Sequence, residues 1–193
     1  MSVIDYKTGS VDKGEVDLNL YTGKKLQLFL YAKAFSDKYI PVGAYYFPVS
    51  NEYSESEERA NHGYVGKTIA DEQIASLVDD TLNEGAVKGT YINANFTRSQ
   101  NGSFRWGQNL LSEKEFKGYM EYSQRVAGEG LSEISDGVIL PTPYDGACKY
   151  CKFLGICGYS EESDNRTRNI EEIEKVDILR AVNMAGEDDK GGE

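Results

Sequence analysis

The chain has 193 residues, of which 39% are hydrophobic, and its formal net charge is −11 at pH 7. This length and apolar content suffice for one domain with a packed core. No apolar run is long enough to cross a membrane, and the N-terminus lacks the basic start and apolar stretch of a signal peptide, so we expect a cytoplasmic protein without membrane contact. The acidic charge is concentrated in residues 51–84 and 158–193, so it does not exclude a nucleic-acid partner.

The first predicted element is a strand over residues 3–8, VIDYKT. Alternate residues of a strand point the same way, so Asp5 and Lys7 project side by side with Val3. Two interpretations fit such a pair. It is either a solvated ion pair at the end of a strand or half of a metal-dependent hydrolytic site.

The next two elements are a helix and an aromatic strand. The apolar positions of residues 24–37 predict a largely buried helix, on which Gln27 and Tyr31 share one face. Residues 40–49 predict a strand, and we expect its three aromatic residues to lie in the sheet core rather than against DNA bases: Tyr45, Tyr46 and Phe47.

The middle of the chain is predicted to be more polar. Residues 50–66 predict a loop whose acidic part, 52–58, we expect to be a solvated surface, with a surface that faces a partner or repels a DNA strand as the alternative. Residues 71–83 predict a helix capped by Asp71. Residues 88–108 predict a polar hairpin that turns at the sequence SQNGS and leaves Trp106 exposed near its end.

The following helix has a clear start. Ser112 and Glu115 form an S-x-x-E capping box, which predicts a helix to about residue 126. Gly128 and Gly130 predict an interruption, after which the helix could resume. Residues 138–144 are predicted to be short and extended.

All three cysteines lie in one segment. Cys148, Cys151 and Cys157 have the spacing C-x2-C-x5-C, which in a cytosolic protein indicates a metal site rather than disulfides. Structural zinc and iron-sulfur clusters both fit this spacing, and both normally require four protein ligands. The single histidine, His62, lies in a polar loop, where we expect it to be exposed, so a fourth ligand is not evident.

The order D-x-K, Q-x-x-x-Y and C-x2-C-x5-C resembles the RecB-like nuclease branch of the PD-(D/E)XK superfamily. Within that branch it most resembles the C-terminal nuclease domains of the B subunits of AddAB-type bacterial helicase-nucleases. The resemblance covers residues 3–160. It implies an α/β, restriction-endonuclease-like core in residues 1–160, with a mixed sheet flanked by helices and a cysteine knuckle at 145–160. Outside it we expect an acidic, mobile tail, residues 161–193, with one or two helical turns at VDILRAV.

The resemblance also implies roles for individual residues. Asp5, together with the main-chain carbonyl of Tyr6, would bind a catalytic Mg²⁺ ion. Lys7 would lie beside the attacking water and the scissile phosphate, and Gln27 and Tyr31 would help to organise this lysine and the DNA backbone. The three cysteines would be three of the four ligands of a 4Fe-4S cluster that acts as a structural staple.

The function implied is that of a Mg²⁺-dependent DNA exonuclease in double-strand-break repair. It would degrade one strand behind an ATP-driven translocating motor, together with an AddA-type partner subunit. Nucleases of this class take a further acidic metal ligand from the strand before D-x-K and their first cluster cysteine from far upstream. We therefore expect this chain to be the C-terminal part of a longer subunit, truncated at the N-terminal side of its core and weakly active or inactive alone. Three other carboxylates could approach the site: Asp12, Glu15 and Asp17.

Two alternatives stay open. One is a non-catalytic module, stapled by a metal, that binds DNA or a helicase partner. The other is an iron-sulfur exonuclease of the CRISPR-associated type, which shares the three motifs.

Overall fold

The computed structural model describes residues 1–8, 11, 16–49, 63–84, 89–92, 96, 109–160, 167–171 and 173–188. These residues form a mixed four-stranded sheet in the order β1-β2-β3-β4, comprising Ser2–Lys7, Gly43–Pro48, Val65–Ile69 and Leu110–Leu111. β1 is parallel to β2, β2 is antiparallel to β3, and β3 is parallel to β4. The predicted α/β class with a mixed sheet is confirmed.

The helices of the described part are α1 Val16–Tyr21, α2 Gln27–Ala34, α3 Glu72–Ser76, α4 Glu113–Ser135, α5 Leu154–Cys157 and α6 Lys175–Asp188. Short 3₁₀ turns follow α3 at Asp80–Glu84 and precede α5 at Ala147–Tyr150. Among these helices none combines the length and the apolar content that a membrane span needs.

The two faces of the sheet carry different cores. Helices α1, α2, α4 and α6 cover one face, where their apolar side chains pack on Ala44, Tyr46 and Val65. The opposite face carries a smaller core, which includes Tyr45 of β2 and Ala75 of α3. Because alternate residues of a strand point to opposite faces, β1, β2 and β4 each contribute apolar residues to both cores.

Helix α4 is the longest element, and its start is as predicted. The side chain of Ser112 accepts a hydrogen bond from the backbone N–H of Glu115, whose carboxylate in turn accepts one from the backbone N–H of Ser112. The predicted interruption is wrong, because α4 runs through Gly128 and Gly130 to Ser135. Each interior glycine costs a helix only about 1 kcal/mol, and the first half of α4 is firmly anchored in the larger core.

Asp71 caps α3 as predicted, with its Oδ1 atom accepting a hydrogen bond from the backbone N–H of Ile74 at 2.9 Å. The helix is shorter than predicted and gives way to the 3₁₀ turn. Between the two lies Asp79, which is fully buried. Burial alone would raise the pKa of Asp79, but hydrogen bonds from Thr81 and from backbone N–H groups outweigh it and hold the pKa below its usual value.

The sequence did not predict α1 or β3. β3 begins inside the segment predicted as a loop, and all five of its residues are buried although one of them is Lys67. A lysine and a glycine in so short a segment hide the strand pattern. Several predicted features lie outside the described residues: the acidic loop 52–58, the turn SQNGS, Trp106 and His62.

The last helix is longer than the sequence indicates. Residues 176–182 suggested one or two turns, whereas α6 has 14 residues and buries Ile178 and Val182 against the larger core. Gly118 of α4 permits this contact, because a Cβ atom at this position would lie 2.6 Å from the carbonyl oxygen of Val182. The close approach of α6 to α4 thus depends on one glycine.

We predict opposite effects of the same substitution at two glycines of α4. Gly118→Ala should destabilise the protein by about 1–3 kcal/mol, because the added methyl group meets the backbone of α6. Gly128→Ala, where a Cβ atom would meet nothing within 4 Å, should stabilise it by up to about 1 kcal/mol through helix propensity alone. Urea unfolding midpoints measure both, and a stabilising Gly118→Ala would contradict the α4–α6 contact.

Candidate active site

The end of β1 carries a closely paired acid and amine. The ammonium group of Lys7 lies 2.6 Å from Oδ2 of Asp5, on the helix-covered face of the sheet. The side chain of Asp5 is 18% exposed to solvent and that of Lys7 is 38% exposed, so the pair is half-buried rather than fully solvated. Oδ2 of Asp5 is itself buried, and no hydrogen bond of normal geometry reaches it from the described residues.

This buried carboxylate oxygen, whose neighbour among the described residues is the ammonium group of Lys7, is chemically suited to a divalent cation. Hard cations such as Mg²⁺ take oxygen ligands, and a carboxylate in one ion pair keeps further lone pairs with which to bind such a cation. Within the described ranges, however, no group of three or more His, Cys, Asp and Glu side chains is placed to hold a metal ion. Asp5 is therefore not part of such a group in the described residues.

The backbone of β1 offers a second oxygen. The carbonyl groups of Met1 and Lys7 accept hydrogen bonds from Val42 and Val49 on the β2 side, at 2.8 and 2.7 Å. In a parallel pair, successive carbonyl groups alternate between the two edges of a strand. The carbonyl of Tyr6 therefore points to the edge of β1 away from β2, where no other strand of the described sheet lies. Its position is compatible with the predicted metal ligand.

The Q-x-x-x-Y residues form a direct contact at the start of α2. The side-chain amide of Gln27 donates a hydrogen bond of 3.0 Å to the hydroxyl of Tyr31, which is half exposed. Just before Gln27, the ammonium group of Lys25 lies 5.7 Å from the centre of the Tyr46 ring. Since Tyr46 pairs with Asp5 across the sheet, the start of α2 and the Asp5–Lys7 pair share a neighbourhood.

Tyr46 is a residue of this site that the sequence assigned only to the sheet core. It is 4% exposed, and the ammonium group of Lys7 lies 5.2 Å from its ring centre. Burial, and secondly the charge of Asp5, raise the pKa of Tyr46 to about 12. Tyr46 is therefore a neutral aromatic surface under the ion pair, and it attracts cations through its ring.

A second charged group lies farther along the same face. The carboxylate of Asp17 on α1 accepts hydrogen bonds from Lys67 of β3 at 2.9 Å and from the hydroxyl of Tyr119 of α4 at 2.8 Å. Burial and the charge of Asp17 raise the pKa of Tyr119 above its usual value, so this hydroxyl stays protonated and donates. The network joins three elements that sequence reasoning did not connect.

Asp17 is consequently engaged elsewhere and is not a partner of Asp5. Lys67 pairs with Ala44, whereas Asp5 pairs with Tyr46, so Lys67 is two strands from Asp5, about 10 Å across the sheet. Asp12 and Glu15, the other two carboxylates considered, lie outside the described residues.

The three cysteines lie on a segment with little regular structure. Cys148 is in the 3₁₀ turn, Cys157 ends α5, and Cys151 lies between them; none forms a disulfide. Their side chains do not form a ligand group in the described structure, so the cysteine knuckle is not confirmed. Thiolates suit an iron-sulfur cluster chemically, but these three positions do not fit one as they stand.

The start of this segment is held to Arg168 by two backbone hydrogen bonds and a contact between a cation and a ring. The guanidinium group of Arg168 lies 3.9 Å from the ring centre of Tyr144, and the backbone N–H of Arg168 donates to the carbonyl of Pro143 at 2.8 Å. The backbone N–H of Asp145 in turn donates a hydrogen bond of 2.9 Å to the backbone carbonyl of Arg168.

Comparison with known proteins places the chain among nucleases. A profile of the PD-(D/E)XK nuclease superfamily matches residues 1–158. The ATP-dependent helicase/deoxyribonuclease B subunit of Bacillus velezensis is 26% identical over 213 residues, which cover 98% of this chain and 18% of that relative. The corresponding B subunits of Bacillus subtilis and Alkaliphilus metalliredigens are 27% and 24% identical, each over 94% of this chain and 17% of the relative. The chain thus spans less than a fifth of the length of these relatives.

We predict that the Asp17 network contributes strongly to stability. Asp17→Asn should destabilise the protein by about 3 kcal/mol, because it leaves the buried ammonium group of Lys67 opposite a neutral amide. The matched control is Asp177→Asn, which breaks the exposed pair with Arg180 at 3.9 Å and should cost less than about 1 kcal/mol. Equal shifts of the two urea midpoints would contradict this account.

Proposed function

Because the chain belongs to the PD-(D/E)XK nuclease superfamily, we propose that it is a Mg²⁺-dependent deoxyribonuclease domain whose catalytic strand is β1. The observation that supports this most directly is the half-buried Asp5–Lys7 pair, in which the buried Oδ2 atom of Asp5 lies 2.6 Å from the Lys7 ammonium group and accepts no hydrogen bond of normal geometry from the described residues. An ordinary surface ion pair would be more fully solvated than this one.

In this proposal Asp5 and the carbonyl of Tyr6 hold the cation, which supplies Lewis-acid polarisation of the phosphoryl group. Lys7 binds a non-bridging phosphate oxygen through its ammonium group and stabilises the negative charge that grows there during hydrolysis. Gln27 and Tyr31, which are held together by their hydrogen bond, contact the adjacent DNA backbone. All of these groups contact the phosphate backbone and none contacts a base, so we expect cleavage to be independent of base sequence.

The wider role follows from the relatives. Because these relatives are B subunits of ATP-dependent helicase/deoxyribonucleases, we propose that this domain acts as an exonuclease on DNA ends in double-strand-break repair, alongside a helicase-nuclease partner of the AddA type. Among the described residues, Asp5 and the Tyr6 carbonyl are only part of the ligand set that a divalent cation needs, so we propose weak activity or none for the chain by itself.

A second candidate is a module that binds DNA or a helicase partner without cleaving it. The incomplete ligand set in the described residues favours this candidate. The two functions differ in whether any cleavage depends on Asp5.

We predict that prolonged incubation of excess protein with end-labelled single-stranded DNA and Mg²⁺ gives slow cleavage that Asp5→Asn abolishes. Lys7→Met should lower the rate about 100-fold or more, because it removes a charge aimed at the reacting phosphate. Lys33→Met is the matched control, since Lys33 pairs with Glu121 at the same distance of 2.6 Å, away from β1, and its loss should leave the rate unchanged.

Cleavage that survives Asp5→Asn would contradict the proposed site. Complete absence of cleavage, together with DNA binding that Asp5→Asn leaves intact, would favour the binding module. Fast cleavage by the chain alone that is lost in Asp5→Asn would confirm the site and show that the proposal of weak activity is wrong.

The 4Fe-4S cluster is a separate proposal, supported by the C-x2-C-x5-C spacing. Three thiolates leave one ligand to come from elsewhere, so we predict well under four irons per chain after purification without oxygen. Iron and sulfide analysis and the visible absorbance measure this, and Cys151→Ser should remove the colour. A colourless protein with one zinc per chain would contradict the cluster.

A further inference from the structure

We propose that Lys25 is a contact for the DNA backbone, held next to the catalytic pair by the ring of Tyr46. The inference rests on the proposed nuclease function and adds to it a substrate contact outside the D-x-K and Q-x-x-x-Y motifs. Tyr46 acts in it as a positioning residue.

The geometry that carries the proposal is the sharing of one ring by two cations. The ammonium groups of Lys7 and Lys25 lie 5.2 and 5.7 Å from the centre of the Tyr46 ring. Both distances are within the roughly 6 Å over which a ring attracts a cation. Since Tyr46 also pairs with Asp5, Lys25 belongs to the same local cluster.

The charges around Lys25 leave it available to an anion. The charge of Lys7 is offset by Asp5 at 2.6 Å, whereas no carboxylate of the described residues forms an ion pair with Lys25, whose side chain is exposed. The chain as a whole carries a net charge of −11 and therefore repels a polyanion. Attraction of DNA must come from local cations of this kind, and a phosphodiester backbone is the anion that a nuclease site presents to them.

The backbone holds Lys25 in place. Its N–H group donates a hydrogen bond of 3.0 Å to the carbonyl of Asn19, a buried residue of α1. Gly23 supplies the positive φ, +76°, with which the chain turns from α1 towards α2. A lysine on a fixed backbone, with its ammonium group guided by a ring, loses less conformational freedom on binding than a lysine on a mobile loop.

The test is the salt dependence of DNA binding by the full chain. The affinity for a fluorescein-labelled oligothymidylate is measured by fluorescence anisotropy over a range of KCl concentrations, at a low, fixed Ca²⁺ concentration. Lys25→Gln should lower the slope of log affinity against log salt by about 0.7, and the affinity near 0.1 M salt about fivefold, because it removes one phosphate contact.

The matched control is Lys38→Gln. Lys38 is also exposed and lies 5.2 Å from the ring centre of Tyr39, but it follows the opposite end of α2. It should leave the slope unchanged. Tyr46→Phe keeps the ring and should also leave the slope unchanged, whereas Tyr46→Leu should lower it as Lys25→Gln does. Circular dichroism checks that each variant is folded.

Each outcome decides between the two claims. If the wild-type chain binds DNA and Lys25→Gln keeps the wild-type slope, the role of Lys25 is overturned and the nuclease proposal stands. An equal effect of Lys38→Gln would also overturn it, because an exposed lysine remote from the catalytic pair would then contribute to DNA binding as much as Lys25 does. A wild-type chain that shows no salt-dependent binding would overturn the proposed function and this inference together.

Discussion

The register between β1 and β2 is the constraint on which the site depends. It pairs Asp5 with Tyr46 and Val3 with Ala44, and thereby turns the acid, the amine and the aromatic ring to one face. A slip of one residue would turn Asp5 and Lys7 to the opposite face, away from α2. The burial of Ala44 and Tyr46 under the helices fixes this register, so the hydrophobic core and the chemistry of the site share one cause.

The helices on this face also shield the charged groups of the site from solvent more than charges on the protein surface are shielded. Because α2 covers part of this face, the Asp5–Lys7 pair is half-buried, and Lys7 is the ion-pair partner of Asp5 among the described residues. The Asp17–Lys67–Tyr119 network, by contrast, uses its carboxylate fully and ties α1 and α4 to β3. One face of the sheet thus carries a carboxylate with two partners, which contributes stability, and a carboxylate with one partner, which keeps lone pairs to bind a ligand.

Local patterns in the sequence predict several elements of the site correctly. The strand with Asp5, the aromatic strand β2 and the Ser112 capping box follow from short-range rules. The hydrogen bond between Gln27 and Tyr31 follows from their helical spacing. The sequence did not predict β3, because the buried Lys67 within it is stabilised by Asp17, fifty residues earlier. The place of Tyr46 under two lysines depends likewise on the sheet register and on α2, which no local pattern specifies.

The central claim is that Asp5 on β1 is the ligand of a divalent cation. Titration of the ¹⁵N-labelled chain with Mn²⁺ tests it most directly, because the paramagnetic ion broadens the amide signals of nearby residues. The account predicts broadening centred on Asp5, Tyr6 and Lys7 and extending to Tyr46, and its loss in Asp5→Asn. Broadening centred on another part of the chain, or unchanged in Asp5→Asn, would contradict it.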